Sequence, residues 1–338
     1  MLFENVSILS VEREDAPHRI TSAWIMEQLA PTTERLGIPP TLLEDLTGIV
    51  ARKWWDEGVQ PSEVATMAAA KAIEAAGIES RQLGVLISTS VCRDYIEPST
   101  ACLIHGNLEL PPDCLNFDVA NACLAFINGM DLVGTLIERG DIDYGIVVDG
   151  EGSRFAIEST IDRLLQPGTT DVDFRDNFAT LTLGSGAAAM ILCRTDHHPE
   201  AHRYLGGVSL AATEHNRLCL GQPDRMVTDT KPLLIEGLKL AGRTWVRSME
   251  VMNWGPSDLD LVVMHQVSKV HTEQWVGVAG LDLGMVHTIF PEYGNIGPAG
   301  IPVVLHQAVE QGKVERGGTI ALMGIGSGLN STMAKVIW

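Results

Sequence analysis

The chain has 338 residues, and its 24 basic residues against 43 acidic ones leave a formal net charge of −19 at pH 7. That balance argues against a nucleic-acid partner or an anionic membrane surface, both of which need a cationic face. With 45% hydrophobic residues, 33 glycines and only 5% aromatics, the composition excludes a disordered chain and suits helices packed closely on a buried sheet, in a length sufficient for about two domains.

The opening MLFENVSILS has no basic stretch ahead of an apolar one, and no later segment approaches the roughly 18 uninterrupted apolar residues of a membrane span, so a soluble, cytoplasmic protein is expected. Residues 61–76 (PSEVATMAAAKAIEAA) predict a helix with Pro61 in its first turn and Gly77 as its stop. LGVLIS at 83–88 then reads as a strand covered on both faces, because its apolar run is nearly continuous. FDVANACLAFINGM begins strand-like and passes through a polar turn into a predicted helix over 124–139, stopped by Gly140. YGIVV (144–148) and LDLVVM (259–264) predict two more strands buried on both faces. Strand and helix alternate, so the class is α/β.

The segment from Cys123 to Gly150 parallels the one from Asn295 to Gly324: a helix, a Gly stop, an acidic turn and an apolar strand. Residues 72–90 and 247–266 make a second such pair. The repeat predicts two similar halves meeting on a pseudo-twofold axis, an N-terminal half over 1–200 and a C-terminal half over 201–338. It also places Cys123 and Asn295 at equivalent positions, each leading into a helix.

Six cysteines, Cys92, Cys102, Cys114, Cys123, Cys193 and Cys219, are too sparse for a disulfide framework and include no CxxC pair. Cys123 alone stands at a turn into a helix, where free N–H groups and the helix dipole would stabilise a thiolate; it is a candidate nucleophile, with a small buried residue as the other reading. His265 closes the strand LDLVVM at its carboxyl end, where open α/β sheets place ligands, and can exchange a proton there. Asn295, in the Gly- and Pro-rich turn EYGNIGPAGIP, could donate to an oxyanion or cap a helix. His265 and His271 lack the HExxH spacing and a third ligand, so no metal site is expected. GIGSGLN at 324–330 lets backbone approach a ligand closely but is no phosphate loop, and GxSxG is absent.

Together TGIVARKWW, FDVANACLAFINGM, LGSGAAAM, MHQVS, YGNIGPA and GIGSG resemble, over nearly the whole chain, the thiolase-fold condensing enzymes of the ketoacyl-synthase III branch. RDYIEPSTA, DVANACLAFINGMD, MVTDT and IGSGLN are most similar, within that branch, to OleA-type enzymes. The resemblance implies duplicated α/β halves in a five-layer αβαβα thiolase fold, and a homodimer. It implies a non-decarboxylative Claisen condensation of two long-chain acyl-CoA molecules to a 2-alkyl-3-oxoalkanoic acid, first step of long-chain olefin synthesis, with downstream olefin-pathway enzymes as possible partners. Cys123 carries over as the acylated nucleophile, His265 and Asn295 as the pair holding the second thioester, and the backbone N–H groups of Cys123 and Ser327 as the oxyanion hole. No cofactor is implied beyond the coenzyme A thioesters used as substrates.

Glu97, in YIEPST, stands where the initiation enzymes of the branch carry an apolar residue, in a loop that in the family crosses into the partner's acyl pocket. Condensing two ordinary acyl thioesters requires an α-proton to be removed, and Glu97 resembles the glutamate given that task in OleA-type enzymes; a solvated loop glutamate is the other reading. Leu46 stands where the initiation enzymes hold coenzyme A with an arginine, which leaves Arg52 and Trp54 as substitute contacts. Decarboxylative 3-oxoacyl-acyl carrier protein synthesis and a thioesterase or acyltransferase using the same cysteine are the rival activities.

Overall fold

The computed structural model describes all residues, Met1–Trp338. Its framework comprises β1 (Val6–Glu14), α1 (Pro61–Ala76), β2 (Leu83–Ser88), α2 (Thr100–Asn107), β3 (Leu115–Asp118), α3 (Ala125–Glu138), β4 (Tyr144–Glu151) and β5 (Gly186–Arg194) in the first half. The second half supplies β6 (His202–Ala211), α4 (Thr230–Met252), β7 (Leu261–Met264), α5 (Lys269–Ala279), α6 (Gly300–Glu310), β8 (Thr319–Gly326) and β9 (Asn330–Ile337).

A strand with apolar residues on both faces must be covered on both, and the period of two sorts the side chains into layers. Val85 and Ile87 of β2, Val147 of β4, Leu261 and Val263 of β7, and Ile320 and Leu322 of β8 all enter one core shared by both halves. Phe126, Ile127 and Met130 of α3 meet Ile301, Val303 and Val304 of α6 there. The alternate residues of β2 and β4, Leu86, Ile146 and Val148, pack outward against Val64, Ala68 and Ala72 of α1. On the far side Val262, Met264 and Ala321 pack against Trp245 of α4 and Trp275 of α5. The layers are therefore α1/α2, sheet, α3/α6, sheet, α4/α5, the five-layer thiolase arrangement.

The strand order is β7-β8-β9-β6-β1-β5-β4-β2-β3. The halves join where β1 pairs β6 at Ser7 and Ile8, and outward from that seam β1, β5, β4, β2 are matched by β6, β9, β8, β7. β3 has no counterpart and forms the free edge of the first half. The helical segment Gly297–Glu310, a 3₁₀ turn running into α6, has the length of α3, and Cys123 and Asn295 each stand two residues before their segment.

Two element bounds differ from the sequence reading in a way that matters. β7 starts at Leu261, not residue 259, because Pro256–Asp258 forms a 3₁₀ turn whose Asp258 carboxylate accepts the Gly255 N–H at 2.8 Å. β4 continues past Val148 to Glu151 and carries Asp149 and Glu151 into the interior. Charged residues mark a strand end in most sequences, and here they do not.

Candidate active site

Cys123 lies in a 3₁₀ turn, Ala122–Leu124, that enters α3. Ala122 just before it is left-handed at φ 45°, a conformation that costs a non-glycine residue about 1 kcal/mol and persists only where the surroundings enforce it. Side chains supply that enforcement. Asn121 donates to Asn128 at 2.7 Å and accepts from Asn330 at 3.1 Å, tying the turn to α3 and to β9. The glycines at the end of β8 close the other side: a Cβ on Gly324 would overlap Leu124, and one on Gly326 would stand 3.1 Å from the Asn121 carbonyl. Their small size serves the approach of β8 to the Cys123 turn.

His265 directly follows β7, and its N–H donates to the Met323 carbonyl at 2.9 Å, extending the β7–β8 ladder by one residue. Gln266 fixes the next step, donating to the His287 carbonyl at 2.6 Å and accepting from Ile289 N–H at 2.8 Å. Asn295 is held through its backbone, donating to Thr182 O at 2.9 Å and accepting from Gly184 N–H at 2.8 Å. Its Oδ1 accepts the Gly297 N–H at 3.0 Å. That bond closes a turn just ahead of the 3₁₀ turn, whose N-cap is Ile296, and the Asn295 amide N–H₂ has no protein partner.

Cys123, His265, Asn295 and Ser327 line one cavity of about 180 Å³. The remaining wall is largely apolar, including Met226, Leu233, Leu238, Trp275, Met323 and Met333, and suits an alkyl chain. The backbone N–H groups of Cys123 and Ser327 have no backbone acceptor. Cys219 and His271 also line the cavity; the sequence reading leaves Cys219 as structural and considers His271 only as a metal ligand, which it rejects. His271 is oriented by a 2.7 Å hydrogen bond between its Nδ1 and the Ser268 hydroxyl.

The protonation states correct the expectation of a thiolate. Burial, helped by the neighbouring Glu151 carboxylate and by Cys219, pushes the Cys123 thiol up to about 12. Burial also draws His265 down to about 4, against a weaker opposing effect from the Gly297 carbonyl. The resting site holds a neutral thiol and a neutral imidazole. The helix that was expected to lower the thiol begins only at Ala125, two residues on, and cannot offset full desolvation.

Glu97 is exposed and stands outside this cavity in its own chain, with Tyr95 and Ile96 exposed beside it. Arg52 and Trp54, expected to contact coenzyme A, are interior residues. Arg52 is 0% exposed, donates to the Ser22 hydroxyl at 3.1 Å and the Leu181 carbonyl at 2.9 Å, and is drawn down to about 10 by burial. Trp54 packs with Ile25, Leu43 and Ile161, edge-on to Trp24. Neither can reach a nucleotide.

A five-layer fold with Cys, His and Asn converging on an apolar cavity defines a class, the thiolase-fold condensing enzymes. The family description "3-Oxoacyl-[acyl-carrier-protein (ACP)] synthase III C terminal" matches residues 249–338. The acyl-CoA:acyl-CoA alkyltransferase of Xanthomonas campestris is 53% identical over 100% of both chains, and that of Shewanella oneidensis is 36% identical over 100% of both. A β-ketoacyl-[acyl-carrier-protein] synthase III of Desulfitobacterium hafniense is 23% identical over 95% of each chain. The crystal structure of cerulenin-bound X. campestris OleA superposes with a TM-score of 0.99, covering 100% of this chain and 98% of that one. This chain belongs to the acyl-CoA:acyl-CoA alkyltransferase family, the OleA enzymes.

Proposed function

We propose that the protein joins two long-chain acyl-CoA molecules by non-decarboxylative Claisen condensation. The observation that carries this reading is the apolar cavity in which Cys123, His265 and Asn295 converge, in a chain that matches the alkyltransferases end to end. Solved OleA structures include variants changed at a cysteine, a histidine and a glutamate, and a cysteine variant with bound lauric acid and lauroyl-CoA. Those are the residue types assigned here.

Cys123 sulfur attacks the first thioester while its proton passes through neutral His265 to the departing coenzyme A sulfur. The Cys123 and Ser327 N–H groups bind the carbonyl oxygen as it becomes an oxyanion. The second acyl-CoA places its thioester oxygen against His265 and the Asn295 amide, which stabilise the enolate left when Glu97 removes the α-proton. The enolate carbon forms a bond to the acyl carbon and the Cys123 C–S bond breaks, its sulfur leaving as a thiolate that is balanced by, and regains, the proton held on Glu97; water then hydrolyses the remaining thioester to the 2-alkyl-3-oxoalkanoic acid and free coenzyme A. Coenzyme A thioesters are the substrates and no further cofactor takes part. The product fits the first step of long-chain olefin synthesis, with downstream enzymes of that route as partners.

Glu97 acts across a homodimer. The free edge of the sheet at β3 exposes Leu115 and Phe117, and the preceding loop exposes Val91, Tyr95 and Ile96, an apolar face suited to a second copy. Incubation with one acyl-CoA and no malonyl thioester gives the condensed acid by mass spectrometry. Free fatty acid alone would indicate a thioesterase, and dependence on malonyl thioester a decarboxylative synthase. Cys123→Ala and Glu97→Gln each abolish product, but dimers re-formed from an equal mixture regain about a quarter of wild-type activity, since half the dimers are mixed and each has one complete site. No recovery on mixing would place Glu97 in its own subunit's site.

A further inference from the structure

Behind the cavity wall lie two buried carboxyl groups to which the chemistry above gives no task. Asp149 and Glu151 sit two apart on β4, hence on the same face, and are 0% and 5% exposed. Their side chains are close enough for each to shift the other's titration. Two adjacent carboxylates cannot both ionise in a dry interior, so the pair keeps one proton. Thr89 donates its hydroxyl to Asp149 Oδ2 at 2.6 Å, and Asp149 Oδ1 is buried with no hydrogen-bond partner. Burial raises both carboxyls, Asp149 well above its ordinary value and Glu151 to about 7. Glu151 accepts two backbone N–H groups, which suits the charged form, whereas Asp149 Oδ1 receives none, so the shared proton is placed on Asp149.

Glu151 spends that charge on three parts of the site. Its two oxygens accept the N–H groups of Val91 at 2.6 Å and Cys92 at 3.3 Å, the first residues of the loop that carries Glu97. The loop's next anchors are Asp94, which accepts the Ser62 N–H at 3.0 Å, and Ser99, which caps α2. Between those anchors Tyr95, Ile96 and Glu97 project outward. Glu151 also packs against Gly297, where a Cβ would stand 3.5 Å from its carboxyl carbon, and Gly297 donates its N–H to Asn295 Oδ1. Its charge is felt at Cys123 as well. The Trp55 indole donates to the Glu151 carbonyl at 2.9 Å and fixes the strand end.

We propose that Glu151, beside protonated Asp149, is a positioning residue for the condensation step, holding the root of the Glu97 loop in register with the Asn295 turn. Only a carboxylate can accept the two backbone N–H groups on separate oxygens; a glutamine turns an N–H₂ against one of them. The proposal rests on the condensation reading and concerns its second half, since acylation of Cys123 does not use the Glu97 loop.

The test compares the wild type with Glu151→Gln and Asp149→Asn, measuring acyl-Cys123 formation by intact mass and condensed product separately. Glu151→Gln lowers condensation at least about tenfold while acylation stays within about threefold. Asp149→Asn, which keeps a neutral group beside Glu151, retains condensation far better than Glu151→Gln. Equal losses in both half-reactions, or no loss in Glu151→Gln, overturn the proposal. Should Glu151→Gln not fold, hydrogen exchange on the wild type decides: the Val91 amide is protected if Glu151 holds it, and exchange as fast as at Ile96 overturns the anchor. A wild type that makes no condensed product removes the functional reading itself, whereas a condensing wild type with an unimpaired Glu151→Gln removes this inference alone.

Discussion

Cys123, the nucleophile of the proposed mechanism, sits in a pocket that penalises its charge. With the thiol pushed up to about 12 and His265 drawn down to about 4, the pair cannot rest as thiolate and imidazolium; charge develops only as sulfur meets the thioester. The raised thiol predicts the pH behaviour of Cys123. A group raised by burial stays protonated until pH approaches its shifted value, so alkylation of Cys123 by iodoacetamide should rise about tenfold per pH unit between pH 7 and 10 without levelling. Peptide mass spectrometry separates Cys123 from exposed Cys102. A plateau near pH 7 would show an ion pair instead. The sequence disclosed Cys123, His265 and Asn295 because each carries its signal locally, in a turn, a strand's carboxyl end or a Gly/Pro loop. It hid Arg52, an arginine that reads as a surface cation until Ser22 and Leu181, distant in sequence, absorb its donors.

At the scale of elements, the site depends on loops pressed against one another with no side chain between them. Gly184 donates to the Asn295 carbonyl, and a Cβ there would overlap the Tyr293 carbonyl oxygen. Gly184→Ala should therefore push the Asn295 turn off Leu183, lowering stability by about 2 kcal/mol in denaturant unfolding and condensation by more than about tenfold. Unchanged activity with unchanged stability would mean the turn yields freely. Such pairings were not legible in advance: LGSGAAAM and YGNIGPA were both visible as small-residue segments, but their contact joins positions more than a hundred residues apart. The layers were legible, because β2, β4 and β7 are apolar on both faces. The continuation of β4 through Asp149 to Glu151 was not, since a buried carboxyl pair is stable only with Thr89, Val91 and Cys92 in place.

Across the whole molecule, charge and substrate are opposed. A chain carrying −19 repels the phosphates of coenzyme A at long range. Attraction must then be short-ranged: the apolar wall takes the alkyl chain, and exposed cations such as Arg225, adjacent to the cavity-lining Met226, are available to the nucleotide. The two ranges respond differently to salt, because the Debye length falls from about 30 Å at 0.01 M to about 8 Å at 0.15 M. Screening removes the diffuse repulsion first and leaves close contacts largely intact. For a long-chain acyl-CoA held below its micellar concentration, kcat/KM should rise about two- to fivefold over that range of sodium chloride, mostly through association. A fall with salt would mean that a cationic patch at the cavity mouth outweighs the field of the whole protein, and Arg225→Ala would then abolish the salt dependence.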